Sequence, residues 1–214
     1  MNYETANQAF EDTYKYISDH GANYSNTKTI FNLGFYIQDP LKNEINCDFR
    51  KWNKDYAEYE WQWYLSANPD ATEIAKRAPI WLQHMDENNH VRSNYGWQWV
   101  RGSQLDYVID ILYNSLVNNL DTRKAVITFY DGKEINTYAH DTPCTNSIHF
   151  QIVNKKLCMT VNMRSNDLWY GFCNDQYCFS KLQEMVANEL NIEVGWYYHF
   201  ASNMHLYNDF LNKK

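Results

Sequence analysis

What the chain lacks narrows its identity first. No apolar run approaches the ~18 residues of a membrane-spanning helix, and the opening "MNYETANQAFEDTYKY" is polar and amphipathic, unlike a secretion signal. A soluble, cytoplasmic protein with no membrane contact is therefore expected. Paired Cys-x-x-Cys spacing is also missing. The five cysteines, Cys47, Cys144, Cys158, Cys173 and Cys178, form an odd set, which argues against a disulfide framework and against a zinc site, so no metal is expected. At least one thiol must be free, and the ordinary fate of a free cysteine is burial as a small hydrophobe. Basic residues are outnumbered, 19 Lys and Arg against 26 Asp and Glu, for a net charge of −7. That balance disfavours direct nucleic-acid binding, which needs clustered cations to displace counterions from phosphates. A small anionic ligand needs only a few local cations and stays open. Glycine and proline are sparse, at 7 and 4, and no repeat or low-complexity tract is visible, which excludes a disordered or repetitive chain.

What is present is aromatic bulk: 8 Trp and 18 Tyr in 214 residues, enough for one domain over residues 1–214 with a core of its own. Tyr3, Ala6, Phe10, Tyr14 and Ile17 recur at helical spacing, so a helix is predicted over 3–19, stopping at Gly21. "TKTIFNLGFYI" reads as extended. A second helix is predicted over 55–65, ending ahead of Pro69, with Glu60 set among Tyr56, Tyr59, Trp61, Trp63 and Tyr64. "GSQLDYVIDILYNSLVNNLD" is helical with Ser103 as N-cap. "KAVITFY", "NSIHFQIV" and "KLCMTVNMR" read as strands, the last two forming a hairpin about "NKK". A helix over "QYCFSKLQEMVANEL", burying Tyr177, Leu182, Met185, Val186 and Leu190, and a strand over "EVGWYYHFASNMHLY" follow. The mixed order with an antiparallel component gives an α+β class.

Three local features carry chemistry. In "DTPCTNS", Cys144 stands at the mouth of a strand, where a thiol can be exposed enough to act as a nucleophile. In "LDTRKAV", Arg123 and Lys124 are either a solvated charge pair or phosphate ligands; adjacent side chains of an extended segment point apart, so both reach one phosphate only in a turn or across a chain junction. In "SNMHLY", His205 and Tyr207 share a strand face, as a sugar-hydroxyl clamp or as capped core residues.

In this order the blocks "EWQWYL", "PIWLQHMDENNHVRSNYGWQW", "DTRK", "TPC", "MRSNDLWYGFCND" and "HLY" resemble the thymidylate synthase family, over nearly the whole chain. The resemblance implies a mixed β-sheet flanked by helices and a homodimer formed by sheet-to-sheet packing. It implies that Arg123 and Lys124 are lent to the partner's site, and that Arg164 and Ser165 hold the same phosphate from the resident chain. Lys124 stands where many members have a second arginine. Cys144 matches the nucleophile that adds to C6 of a pyrimidine nucleotide, its thiolate favoured by Arg164. Glu60 matches the general acid-base, its pKa raised by its aromatic surroundings, and Tyr95 the tyrosine that helps move the C5 proton. Trp81, Asp167 and Gly171 match positions that approach the co-substrate 5,10-methylenetetrahydrofolate, and His205 and Tyr207 match the clamp on the deoxyribose 3′-hydroxyl. Where many members have a phosphate-binding arginine, the N-terminal loop reads "NYSNTKT", so that either Lys28 substitutes or the contact is lost.

The base is read, by the same resemblance, at Asp175, where thymidylate synthases carry asparagine. An amide suits uracil, donating to O4 and accepting from N3–H; a carboxylate accepts from cytosine N4–H and stabilises a protonated N3. The bland role for Asp175 is N-cap of a helix starting near Gln176. The block resembles that of phage deoxycytidylate hydroxymethylases, and dCMP is the expected substrate. The chain stops at "HLYNDFLNKK" without the family's C-terminal tail, Thr145 replaces a histidine after the nucleophile, and Leu82 and His84 alter the "WDEW" segment. Hydration to 5-hydroxymethyl-dCMP is expected, with dCMP methylation and dUMP methylation as rival outcomes and a non-catalytic nucleotide binder as a rival from another class.

Overall fold

The computed structural model describes residues 1–138 and 140–213. Its first helix, α1 (Ala6–His20), starts where the Thr5 hydroxyl accepts from the Gln8 N–H and ends where the Gly21 N–H returns to the Ile17 carbonyl. Tyr3, which periodicity had assigned to this helix, lies instead in a short strand, β1 (Asn2–Tyr3), parallel to β3 (Thr27–Ile37). Its ring meets Phe35 edge-on at 5.5 Å, a contact that suits a strand as well as a helix. β2 (Ala22–Tyr24) pairs antiparallel to β3.

Helix α2 (Lys54–Leu65) is capped by the Asn53 side chain on the Tyr56 N–H. α3 (Thr72–Ala75), α4 (Tyr95–Val100) and α5 (Gln104–Asn118) follow. Ser103 occupies the expected cap position, but at φ 56° its hydroxyl makes no capping bond, so that expectation fails on geometry. β4 (Val126–Thr128), β5 (Thr145–Val153) and β6 (Lys156–Met163) form the strands read from the sequence. The β5–β6 turn places Asn154 and Lys155 at φ 51° and 63°, the pair of positive angles that matches strand twist in a two-residue hairpin.

After β7 (Asn166–Asp167) comes one π-helical turn, Leu168–Phe172, running directly into α6 (Cys173–Glu189). Asp167, not Asp175, is the capping acid, accepting from Trp169 N–H at 3.0 Å and Tyr170 N–H at 2.9 Å. α6 therefore begins ahead of the expected Gln176, and Asp175 lies inside its first turn with both oxygens released from capping. Met185, expected inside, is only partly buried. β8 (Glu193–Tyr207) has the bounds read from the sequence.

The strands form one mixed sheet in the order β1-β3-β8-β6-β5-β4, with β7 extending the pairing on β8. β8 is antiparallel to β3 and parallel to β6, and α6 makes the crossover between the parallel pair. Along β8, Gly195, Tyr197, His199 and Ala201 are buried while Trp196, Tyr198 and Phe200 stay partly exposed. The helices thus cover one face, sealing Phe35, Phe150, Phe172 and Phe179 at 0% exposure. The other face presents an aromatic cluster in which Tyr36 meets Trp196 at 5.3 Å and Tyr198 at 4.6 Å. No helix among the described residues is long and apolar enough to cross a membrane.

α4 approaches the end of α2 so closely that a Cβ on Gly96 would overlap the Tyr64 carbonyl. Backbone cannot yield as a flexible side chain can, so Gly96→Ala is expected to cost about 2–3 kcal/mol. Urea unfolding should show a lower midpoint with an unchanged slope.

Candidate active site

Of the polar side chains singled out by sequence, Cys144, Glu60, Tyr95, Asp167 and Asp175 lie close enough to act on one another's charge. Cys144 precedes β5 and is half-buried, while Cys47, Cys158, Cys173 and Cys178 are buried, and all five are free. Arg164, just after β6, is tied across to it: its N–H donates to the Cys144 carbonyl at 2.8 Å. Its guanidinium donates to the Pro143 carbonyl at 3.0 Å and the Thr142 carbonyl at 2.8 Å, and Nη2 lies 3.7 Å from Cys144 Sγ. The arginine therefore staples the loop that aims the thiol. It lowers the thiol's pKa as expected, but burial outweighs it, with Asp175, Asp141 and Asp167 pushing the same way as burial, and the thiol is pushed up to about 11. Arg164 thus acts in the expected direction, and burial is the larger effect.

Three carboxylates share the floor. Glu60, on the inner face of α2 at 5% exposure, is pushed up to about 8 by burial and then by the Asp175 charge, with the Tyr56 and Tyr64 hydroxyls pulling the other way. Trp81 enters through this group: its indole N–H donates to Tyr56 Oη at 2.9 Å, and Tyr56 Oη lies 3.4 Å from Glu60 Oε1. Asp175 is pushed up to about 7 by burial, against the hydrogen bond from Asn166. Asp167 lies opposite His205 in the β7–β8 register; burial raises the acid and lowers the imidazole, and each charge opposes the other's shift. Tyr95 is 3% exposed, stacked on Phe179 at 5.2 Å, with its phenol held well above its ordinary value by burial and by Asp175 and Cys144.

His205 and Tyr207 present rings 5.4 Å apart at 87°, open toward this end of β8. Ser165 is partly exposed next to Arg164. Gly171 faces inward: a Cβ there would sit 2.8 Å from Asn166 Nδ2 and 3.3 Å from Asp175 Oδ2, so glycine is required for these two groups to meet. Arg123 and Lys124 stand apart. They are exposed ahead of β4, whose neighbour Ala125 accepts from Phe150 N–H at 2.9 Å, some six residues and about 20 Å along β5 from Cys144. Lys28, on β3, donates to the Ser18 carbonyl at 2.7 Å. Among the described residues no group of His, Cys, Asp and Glu is placed to hold a metal ion.

Comparison with known proteins decides the family. A family model described as thymidylate synthase matches residues 8–213. The chain belongs to the thymidylate synthase family. It is 30% identical over 145 residues to deoxycytidylate 5-hydroxymethyltransferase of Enterobacteria phage T4, covering 65% of this chain and 58% of the relative. It is 30% identical over 154 residues to deoxyuridylate hydroxymethyltransferase of Pseudomonas phage M6, covering 71% of this chain and 44% of the relative. Against thymidylate synthase of Bacillus mojavensis the figures are 29% over 163 residues, 73% and 57%. The matched stretch thus spans about half the length of these curated relatives.

Set in this thymidylate synthase frame, the residues the sequence reading passed over are Asn166, His199, Tyr197 and Asp141, and Tyr56 was read only as part of the aromatic surroundings of Glu60. Asp141 accepts from Ser93 N–H at 2.6 Å and Ser93 Oγ at 2.8 Å and lies 3.8 Å from His84 Nδ1, so the altered "WLQH" segment is anchored beside the thiol's loop. Tyr56 and Glu60 are four apart on α2 and Tyr197 and His199 two apart on β8, but the Asn166–His199 and Ser93–Asp141 pairs join residues distant in sequence. Only the polarity of His199, at an inward position of β8 between aromatic neighbours, marks one of them.

Glu60 and Asp175 both have folded pKa values above ordinary carboxylates. The unfolded chain sheds these protons near pH 4 while the folded one retains them, so stability is greatest below that point and falls as pH rises toward 7 and 8. Urea midpoints should decline over that window, and Glu60→Gln should shallow the decline; an unchanged slope in the variant would count against the buried acid.

Proposed function

We propose that the chain transfers a one-carbon unit from 5,10-methylenetetrahydrofolate to C5 of dCMP and yields 5-hydroxymethyl-dCMP. The observation that carries the reading is the state of Asp175, a carboxyl group at the position that the family resemblance assigns to base reading. It is released from helix capping and raised to about 7, so that acid and anion are both accessible near neutrality. As the acid it offers O–H to cytosine N3 and a carbonyl oxygen to N4–H. When Cys144 gives its thiol proton to water and its sulfur bonds to C6, electrons move from the C5=C6 bond toward N3, and Asp175 hands N3 its proton. The resulting electron-rich C5 attacks the one-carbon unit.

Arg164 and Ser165 hold the phosphate, and His205 and Tyr207 hold the 3′-hydroxyl. Glu60, protonated up to about pH 8, exchanges protons through water near the exocyclic amine and C5, with Tyr95 beside it. Trp81 offers its ring face to the folate while Tyr56 fixes its indole N–H, and Asp167 and Gly171 border the same space. The folate supplies carbon at the formaldehyde oxidation level. Water completes the hydroxymethyl group, a product supported by the hydroxymethyltransferase names of the T4 and M6 relatives. The aromatic sheet face around Tyr36, Trp196 and Tyr198 supports a homodimer packed sheet to sheet, through which Arg123 and Lys124 reach the partner's phosphate. Nucleic acid and membrane are not partners in this reading.

Offered dCMP, CMP and dUMP together with methylenetetrahydrofolate, the protein should consume dCMP, and mass spectrometry should find the hydroxymethyl product without growth of dihydrofolate absorbance. Dihydrofolate would establish methylation instead, and preferential use of dUMP would overturn the base reading. Cys144→Ser should abolish turnover, and Asp175→Asn should shift the dCMP-to-dUMP ratio of kcat/KM toward dUMP by about 100-fold or more.

A further inference from the structure

Behind Asp175 runs a line of buried polar groups that the chemistry above does not use. Asn166 Nδ2 donates to Asp175 Oδ2 at 2.7 Å. Asn166 Oδ1 lies 3.0 Å from His199 Nε2, and His199 Nδ1 lies 2.7 Å from Tyr197 Oη. Asn166 is 2% exposed, and His199 and Tyr197 are 0% exposed. Such a chain has two possible polarities, and its buried end chooses between them. Among the described residues His199 Nδ1 is the single partner of the Tyr197 hydroxyl, so that proton must point at Nδ1 or be left unpaired in the core. A neutral imidazole that accepts at Nδ1 carries its proton at Nε2, and burial keeps His199 neutral by lowering it to about 3. Nε2–H then donates to the Asn166 oxygen, which turns the amide nitrogen toward Asp175. Gly171 leaves the room this contact needs.

The consequence reaches the base. A protonated carboxyl group fits either pyrimidine, depending on which oxygen holds the proton. With O–H facing N3 and the carbonyl facing the 4-position it reads cytosine; with the two exchanged it reads uracil. Resting on the assignment of Asp175 as base reader, we propose that Asn166, set by His199 and Tyr197, is a positioning residue that keeps Oδ2 as the accepting oxygen. The exchangeable proton is thereby confined to Oδ1, facing N3, and the acid form of Asp175 selects cytosine. Oδ2 retains a second lone pair for N4–H while it accepts from Asn166. The same sequence segment that carries the selector thus also carries the group that orients it.

Nitrogen-15 NMR of the unaltered, ring-labelled protein tests the polarity without a variant. His199 should show a proton-bearing Nε2 and a bare, pyridine-like Nδ1; the opposite tautomer would overturn the proposal. Kinetics test the consequence. Asn166→Ala should lower kcat/KM for dCMP about 10- to 100-fold, the scale of losses when an orienting partner is removed. The value for dUMP should hold or rise, so that the selectivity ratio falls. An equal loss on both substrates, or a rising ratio, would refute it. His199→Gln, which keeps a donor where Nε2 stands, should retain the ratio better than His199→Asn, and equal ratios in the two would also count against the relay. The Asp175→Asn variant separates the layers: if it leaves base preference untouched, the base-reading assignment itself fails, whatever Asn166 does.

Discussion

A carboxyl group held out of water is the constraint from which the site follows. Asp175, Glu60 and Asp167 are all raised by burial, and Asp175 adds to the shift of Glu60, Tyr95 and Cys144 in turn. Such acids would relax into solvent if the backbone allowed it. It does not, because α6 is pinned between β6 and β8 by side chains such as Gln183, which donates to the Leu157 carbonyl at 2.8 Å and the Trp196 carbonyl at 3.1 Å. The packing of one helix on two parallel strands therefore sets the proton affinity of Asp175.

Regular elements were legible because their signals are local. The alternation of β8 and the turn at Asn154 and Lys155 depend on residues in sequence contact, and the structure keeps them nearly as read. The start of α6 was misjudged because the acid immediately ahead of a π turn, Asp167, did the capping that proximity suggested for Asp175. Tyr3 was misassigned because its apolar face serves a strand edge as readily as a helix.

The site was legible through ordered blocks rather than through any one residue, and its energetics were not. Sequence could say that Arg164 stands near Cys144; it could not say that desolvation would outweigh one exposed guanidinium. Asn166 and His199 escaped notice because hydrogen-bond partners on separate strands leave no periodic trace. The polarity of His199 between Tyr198 and Phe200 was the one available sign.

The sheet order also bears on how the molecule comes into being. β8 lies between β3 and β6, yet it is the last long strand in sequence. During synthesis the ribbons on either side of it have open edges and no shared core until residues 193–207 insert between them. Closing pairs such as Thr27 with Tyr207 spans nearly the whole chain, so folding should be slow and dominated by this insertion. The strand that completes the sheet carries His199, His205 and Tyr207, so assembly of the domain and completion of its site are a single event.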